Sequence, residues 1–301
     1  MILGQPTISV VIPTFNHAKL LKRALASVIA QTFENWEALV VNNFSTDTTI
    51  EVVESFKDTR IKLINFNNNG VIAASRNRGI EAAQGQFVAF LDSDDNWYPK
   101  KLEKCLASAE GGAQFVCHGE LWINSDLSTR EIMYGPAKRS SYESLLFRGN
   151  CISTSATFIE TKLLRSVNGF DESELIVTAE DYDLWLRVAA KRPTVVFIPE
   201  VLGEFHRLAN SASSAVLRNL SSEKVVLRKH FLQRPNSLKE KIRQRHRLAI
   251  AEYGAGRQLN NQPSEALRRF MKSLSLSPFV FKIYPALLIL FIRSMSRNKQ
   301  R

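Results

Sequence analysis

Four short apolar runs, each followed by a helical pattern or a polar turn, fill the first hundred residues, and this alternation restricts the fold more than any other feature of the chain. The runs are ISVVIP (8–13), WEALVVN (36–42), IKLINF (61–66) and FVAFLD (87–92). Strands joined through helices lie parallel, because each helix carries the chain back to the edge from which the strand started. KLLKRALASVIAQT (19–32) and VIAASRNRGIEAAQ (71–84) have apolar residues at helical spacing. A helix between them would be capped by Ser45, Thr46 or Asp47. The expectation is an α/β fold, a Rossmann-like and mostly parallel sheet flanked by helices. Ligands of such sheets collect at the carboxyl ends of the strands, where three polar clusters fall: Pro13 to Asn16, Asn42 to Asp47 and Asp92 to Asp95.

Beyond Trp97 the pattern becomes mixed. Residues 114–123 read as a strand, 160–168 as a short helix, 179–191 as an amphipathic helix with an acidic first turn, and 194–206 as a strand pair interrupted at Pro199. At 301 residues, 45% of them apolar, the chain can bury a large domain with an appendage; the division expected is 1–212 and 213–301. The second part reads as helical, and 251–278 resembles a single helix-turn-helix repeat of the tetratricopeptide type. Charge divides the same way. Residues 218–301 hold 19 Lys and Arg against 4 Asp and Glu, a net +15, and the preceding residues are near −4. A basic tail suits an anionic lipid surface, nucleic acid or a phosphorylated acceptor. Little aromatic interleaving argues against nucleic acid. FVFKIYPALLILFI (279–292) is too short to span a bilayer, and its basic flanks fit an interfacial membrane helix; a core helix is the alternative. The N-terminus carries no secretory or anchor pattern. Three cysteines without CxxC spacing read as reduced thiols. The location expected is cytoplasmic, at the inner face of the cell membrane.

Four groups could carry chemistry. In Asp92-Ser93-Asp94-Asp95, carboxylates one residue apart at a strand end can hold a hard cation, Mn²⁺ or Mg²⁺, with positions left open for phosphate oxygens; acidic turns of this kind are equally often helix caps. Arg76 could reach a phosphate or a base, or be an ordinary solvated helix residue. Glu180-Asp181 at a helix start could deprotonate a hydroxyl, or merely complement the helix dipole. His206 could ligate a metal, although a lone histidine is usually structural.

The order of these groups resembles the family 2 glycosyltransferases over about residues 8–213. The matching stretches are VVIPTFNHAKLLKRALASVIAQTF, VVNNFSTDTT, NNNGVIAASRNRGIEAAQGQFVAFLDSDDNW, SATFIETKLLRSVNGFDES and AEDYDLWLRVA. The resemblance implies the GT-A fold, a nucleotide-sugar donor, a saccharide or lipid-linked saccharide acceptor and inversion at the transferred sugar. It also implies roles. Pro13, Thr14 and Asn16 would line the nucleoside pocket, and Arg76 would contact the base or diphosphate. Asp92 and Ser93 would lie near the ribose, and Asp94 would ligate the metal with His206 close by. Asp181 would be the base, with Glu180 shaping the acceptor site.

One departure stands out. Where the family commonly has Asp-Asp-Gly-Ser after its second strand, this chain has Asn42-Asn43-Phe44-Ser45. Asparagine still offers donors and an acceptor to a nucleobase, so Asn42 and Asn43 remain candidate donor contacts, with UDP the first choice and GDP or dTDP as alternatives. Two other readings stand beside this one. A nucleotidyltransferase would show a glycine-rich loop after the first strand, and PTFNHAK has no glycine. A catalytically silent binding protein of the same fold at a membrane surface is favoured only by Asn42-Asn43.

Overall fold

The computed structural model describes residues 4–207, 215–259 and 261–298, with side chains described as far as residue 290. They fall in two compact units, one within Met1–Leu145 and Asn150–Ser211, the other within Leu146–Gly149 and Ala212–Arg301.

The first unit is built on one sheet. Its opening half runs β1 (Ile8–Thr14), α1 (Ala18–Ile29), β2 (Trp36–Asn42), α2 (Thr49–Ser55), β3 (Ile61–Asn65), α3 (Ile72–Ala82) and β4 (Phe87–Phe90). β3, β2, β1 and β4 lie side by side and parallel. Every residue of β1, β2 and β4 is buried, which is why these runs are continuously apolar rather than alternating. α3 lies so close to β1 that a Cβ on Gly79 would come within 2.3 Å of Val11 Cγ1. Asp47 accepts from the N–H groups of both Ala18 and Thr49 (2.9 and 3.1 Å), so one carboxylate serves the starts of α1 and α2.

The remaining elements are β5 (Asn96–Trp97), α4 (Lys101–Glu110), β6 (Phe115–Ile123), β7 (Thr129–Ile132), α5 (Tyr142–Arg148), β8 (Thr157–Glu160), α6 (Thr161–Ser166), α7 (Glu180–Ala190) and β9 (Val195–His206). The sheet order is β3-β2-β1-β4-β8-β6-β9-β5, with β7 paired to β6. β8 is antiparallel to both β4 and β6, so the parallel order of the first half ends there.

The expected interruption at Pro199 is instead one continuous strand with an irregularity. Ile198 pairs with His118, Val201 with Gly119 and Glu204 with Leu121. Pro199 has no N–H to donate, and the bulge takes it out of the ladder. Up to Val201 the odd-numbered residues share a face with Gly119; from Glu204 the even-numbered ones do.

The second unit consists of α8 (Val216–Phe231), α9 (Leu238–Gln258), α10 (Pro263–Leu276) and α11 (Ile283–Asn298). Ala249, Leu259, Ala266, Phe270, Val280, Ile283 and Ala286 form its core. A Cβ on Gly256 would meet Phe270 at 2.6 Å, so glycine allows α9 and α10 to approach. The unit's four carboxylates, Glu223, Glu240, Glu252 and Glu265, each meet a cation within it. As far as residue 290, α11 buries Ile283 and Ala286 and exposes Tyr284, Leu288 and Ile289, and Phe279 and Phe281 are exposed in the turn before it. No helix among the described residues is long and apolar enough to cross a membrane.

Candidate active site

Thr14 and Asn42 stand in register at the carboxyl ends of β1 and β2, and the loops that follow are laced together. The N–H of Asn16 donates to Ser45 Oγ (2.9 Å), and the N–H of Thr46 donates to Asn16 Oδ1 (2.8 Å). Pro13 and Thr14 are buried beneath this lacing. Asn42 is fully buried. Its Oδ1 accepts from the N–H and hydroxyl of Ser45, and its Nδ2 donates to Asn65 Oδ1 at 2.8 Å. The Asn42 amide thus braces the two loops, and an aspartate could not donate to Asn65 as this amide does. Asn43 is half-buried, and its Oδ1 accepts from the N–H of Asn68 (3.0 Å), tying the second loop to the approach to α3.

The strand β4 delivers the acidic cluster. Asp92 and Asp94 are partly open, while Ser93 and Asp95 are buried. Asp95 is held from two sides, its Oδ2 accepting from Ser155 Oγ (2.6 Å) and its Oδ1 from the N–H of His206 (3.0 Å). Burial, then Asp94 and Glu120, raise its pKa well above the usual carboxylate range. Ser93 Oγ lies 2.9 Å from Nδ1 of His17. Asp94 has no hydrogen bond from another side chain among the described residues, and burial together with the charge of Asp92 raises its pKa. A carboxylate that is half out of water, beside a like charge and without a side-chain donor, is what a divalent cation would neutralise. Among the described residues no three His, Cys, Asp or Glu side chains are arranged to hold an ion unaided. The donor set fits a cation that takes its remaining oxygens from a phosphate.

Arg76 connects the two ends of the site. Only 4% exposed, it donates from Nη2 to Asp92 Oδ1 and from Nη1 to Glu180 Oε1, both at 2.8 Å. Burial alone would lower its pKa, but Asp92 and Glu180 outweigh that and hold it charged. Both arms of the guanidinium are occupied by carboxylates, so a contact with base or diphosphate would need one of them to be released. Glu180 is likewise occupied, its Oε2 accepting from the N–H of Thr178 (2.7 Å). Thr178 has φ 83°, a rare backbone state for a β-branched residue.

Asp181 follows at the start of α7 and is only partly covered. Its Oδ1 accepts from the N–H of Tyr182 (2.6 Å), and its Oδ2 lies 3.4 Å from Nδ2 of Asn150. Burial and the adjoining Glu180 push its pKa up to about 7, a value suited to a base working near neutrality. His206 is brought near Asp94, but its Nε2 lies within 3.0–3.4 Å of Arg23, Glu204 and Asn96. It would have to leave these partners to ligate a metal.

Among the described residues, the buried polar atoms here without a partner include Thr14 Oγ1, Arg76 Nε, Asn96 Oδ1 and Thr178 Oγ1. Such atoms are uncommon in folded proteins and collect where function overrides packing. Sequence reasoning missed several members of the site. His17 and Ser155 buttress the acidic cluster. Glu120, buried on β6, accepts from Tyr134 (2.6 Å) and Ser153 (3.0 Å), and burial pushes its pKa to about 7. Phe15 and Phe44 are exposed at the strand ends. His17 adjoins a strand-end cluster and so could have been found; the partners of Glu120 lie in residues 124–157, where the sequence has no readable motif.

A half-parallel sheet whose carboxyl edge gathers an open acid pair, with a carboxylate near neutrality at a helix start beyond it, defines a GT-A glycosyltransferase. The family model described as "Glycosyl transferase family 2" matches residues 9–161, and the chain belongs to that family. It is similar to TuaG of Bacillus subtilis strain 168, a glycosyltransferase named for teichuronic acid biosynthesis, at 30% identity over 70% of this chain and 82% of that one. It is 33% identical, over 60% of this chain and 69% of the relative, to WfgD of Escherichia coli, a UDP-Glc:α-D-GlcNAc-diphosphoundecaprenol β-1,3-glucosyltransferase. Among solved structures, the mannosyltransferase PcManGT from Pyrobaculum calidifontis in complex with GDP-Man and Mn²⁺ superposes with a TM-score of 0.62 at 16% identity, covering 97% of this chain and 81% of that one.

Proposed function

We propose that the chain is an inverting glycosyltransferase that moves a sugar from a nucleotide-diphosphate sugar, UDP-linked in first choice, to a hydroxyl of a saccharide or lipid-linked saccharide in the synthesis of bacterial cell-surface polysaccharide or glycolipid. The observation that carries this reading is the Asp92-Arg76-Glu180 bridge, which makes the donor end and the base end of the site one mechanical unit. Asp181 takes the proton of the acceptor hydroxyl. The freed oxygen attacks the anomeric carbon from the side opposite the diphosphate, and the bond to the diphosphate breaks with its electron pair leaving on phosphate oxygen. Mn²⁺ or Mg²⁺, held by Asp94 with Asp92 beside it, would supply neutralisation of the leaving diphosphate. His206 joins that set only if it turns from Glu204. Asn16 and Asn43 remain as donor contacts, and Asn42 supports them from below. The buried bracing of Asn42 gives that asparagine a structural use and so supports the enzymatic reading over a catalytically silent binding protein.

Calorimetric titration with UDP, GDP and dTDP, each with Mn²⁺ and with EDTA, tests the donor and the metal together. Metal-dependent binding of one nucleotide is the expected result, and Asp94→Asn is expected to abolish the difference between Mn²⁺ and EDTA. Binding that is equal with EDTA would remove the metal from the reading.

The second unit supports a place at an anionic membrane surface. Exposed Phe279, Phe281, Tyr284, Leu288 and Ile289, in a segment with a net excess of Lys and Arg, match an interfacial helix. Deleting α11 would also remove Ile283 and Ala286 from the core, so substitution is the cleaner test. Phe279→Ser, Phe281→Ser and Leu288→Ser combined should release the protein from vesicles containing phosphatidylglycerol while leaving its melting temperature within about 2 °C, since exposed substitutions cost little. Unchanged cosedimentation would exclude this face as the anchor.

A further inference from the structure

The residue that most departs from what its backbone favours is Phe44. It has φ 52°, a left-handed state that costs a bulky L-residue energy and that glycine reaches freely. Its neighbours fix it there. Asn43 on one side holds the N–H of Asn68, and Ser45 on the other bonds Asn42 and the N–H of Asn16. The ring makes no return in packing, for it is 59% exposed. The chain thus bears both a strained backbone and a solvent-facing aromatic at one position, on a loop laced to that of Phe15, whose ring is 51% exposed. Strain maintained by surrounding structure points to a use for the residue.

We infer that Phe44 is a donor-binding residue whose ring stacks on the nucleobase of the donor and supplies affinity for it. This rests on the donor-site reading above. Every base has a π-face, so stacking supplies affinity without choosing among bases. With Asn42 turned inward, the site recognises the base by area more than by a ring of edge contacts.

The test uses the full-length protein with UDP and with inorganic pyrophosphate as the probe lacking a base, both with Mn²⁺, for Phe44→Gly, Phe44→Leu and Phe44→Tyr. UDP binding should weaken roughly 5- to 150-fold in the glycine and leucine variants and be retained in the tyrosine variant, while pyrophosphate binding stays unchanged in all three. Relief of the left-handed strain should raise the melting temperature of Phe44→Gly by about 2 °C, so weaker binding cannot be ascribed to a damaged fold. Wild-type affinity for UDP in Phe44→Leu overturns the proposal and leaves the donor site standing. Failure of the wild-type protein to bind any nucleoside diphosphate overturns the donor site and this proposal with it.

Discussion

Asp181→Asn is expected to cut sugar transfer by about 10²- to 10⁴-fold, the usual contribution of a general base, while UDP affinity stays within about twofold. Asparagine keeps the shape and the contact with the N–H of Tyr182, and loses only the ability to take a proton. Steady-state kinetics beside nucleotide titration separates the two effects. The pH profile follows from the same group. Transfer needs Asp181 deprotonated, and its pKa is pushed up to about 7, so kcat/KM of the wild type should rise about tenfold per pH unit below that value and level off above it. Stability should move the other way. The folded protein holds this proton more tightly than the unfolded chain, so stability falls as pH rises from the ordinary aspartate range towards 7. Asp181→Asn lacks that loss and should melt higher than wild type at pH 8 but not at pH 4. Transfer retained in the variant would move the base elsewhere, and Glu120, also pushed to about 7, would be examined next.

Arg76→Met should damage both the fold and the reaction. Asp92 and Glu180 lose their common cation, and removing one partner from a buried ion pair costs about 3–5 kcal/mol because the remaining charge stays out of water. Denaturation by urea should show a loss of that order. Arg76→Lys should recover only part of it, since one ammonium cannot reach both carboxylates as a forked guanidinium does. Adding Glu180→Gln to Arg76→Met should restore stability without restoring transfer. An unchanged urea midpoint for Arg76→Met would mean that the carboxylates relax into water and that the bridge does not hold the site together.

The legible part of the molecule is the part in which local pattern and final environment agree. β1, β2 and β4 are buried on both faces, so their sequences are continuously apolar, and the clusters after them had to lie at one edge of the sheet. The pairing of β6 with β8 and β9 is another matter, because it joins residues 40 to 83 positions apart and nothing in QFVCHGELWI names its partners. The same divide runs through the site. Asp92, Asp94, Glu180 and Asp181 could be picked out by type and position. That Arg76 and Asn42 face inward could not, because an arginine near an acid and an asparagine at a strand end look the same in sequence whether they meet a ligand or their own neighbours. Residues 124–157 show no motif because their contribution, Tyr134 and Ser153 on Glu120, is made by hydroxyls reaching across the fold.

The two register shifts between Ile198 and Glu204, of which the one after Val201 changes the faces, show what kind of sequence change this site could bear. Side chains on a strand alternate faces with period two, so the odd offset accumulated between Ile198 and Glu204 acts as a phase switch: it sets Glu204 and His206 towards Asn96 and the acidic cluster, and leaves Phe205 to pack on Trp122 at 5.2 Å. A substitution within this stretch alters one side chain. Loss or gain of a single residue would exchange polar and aromatic faces for the rest of the strand, so the length of the segment, more than its composition, is the inherited information.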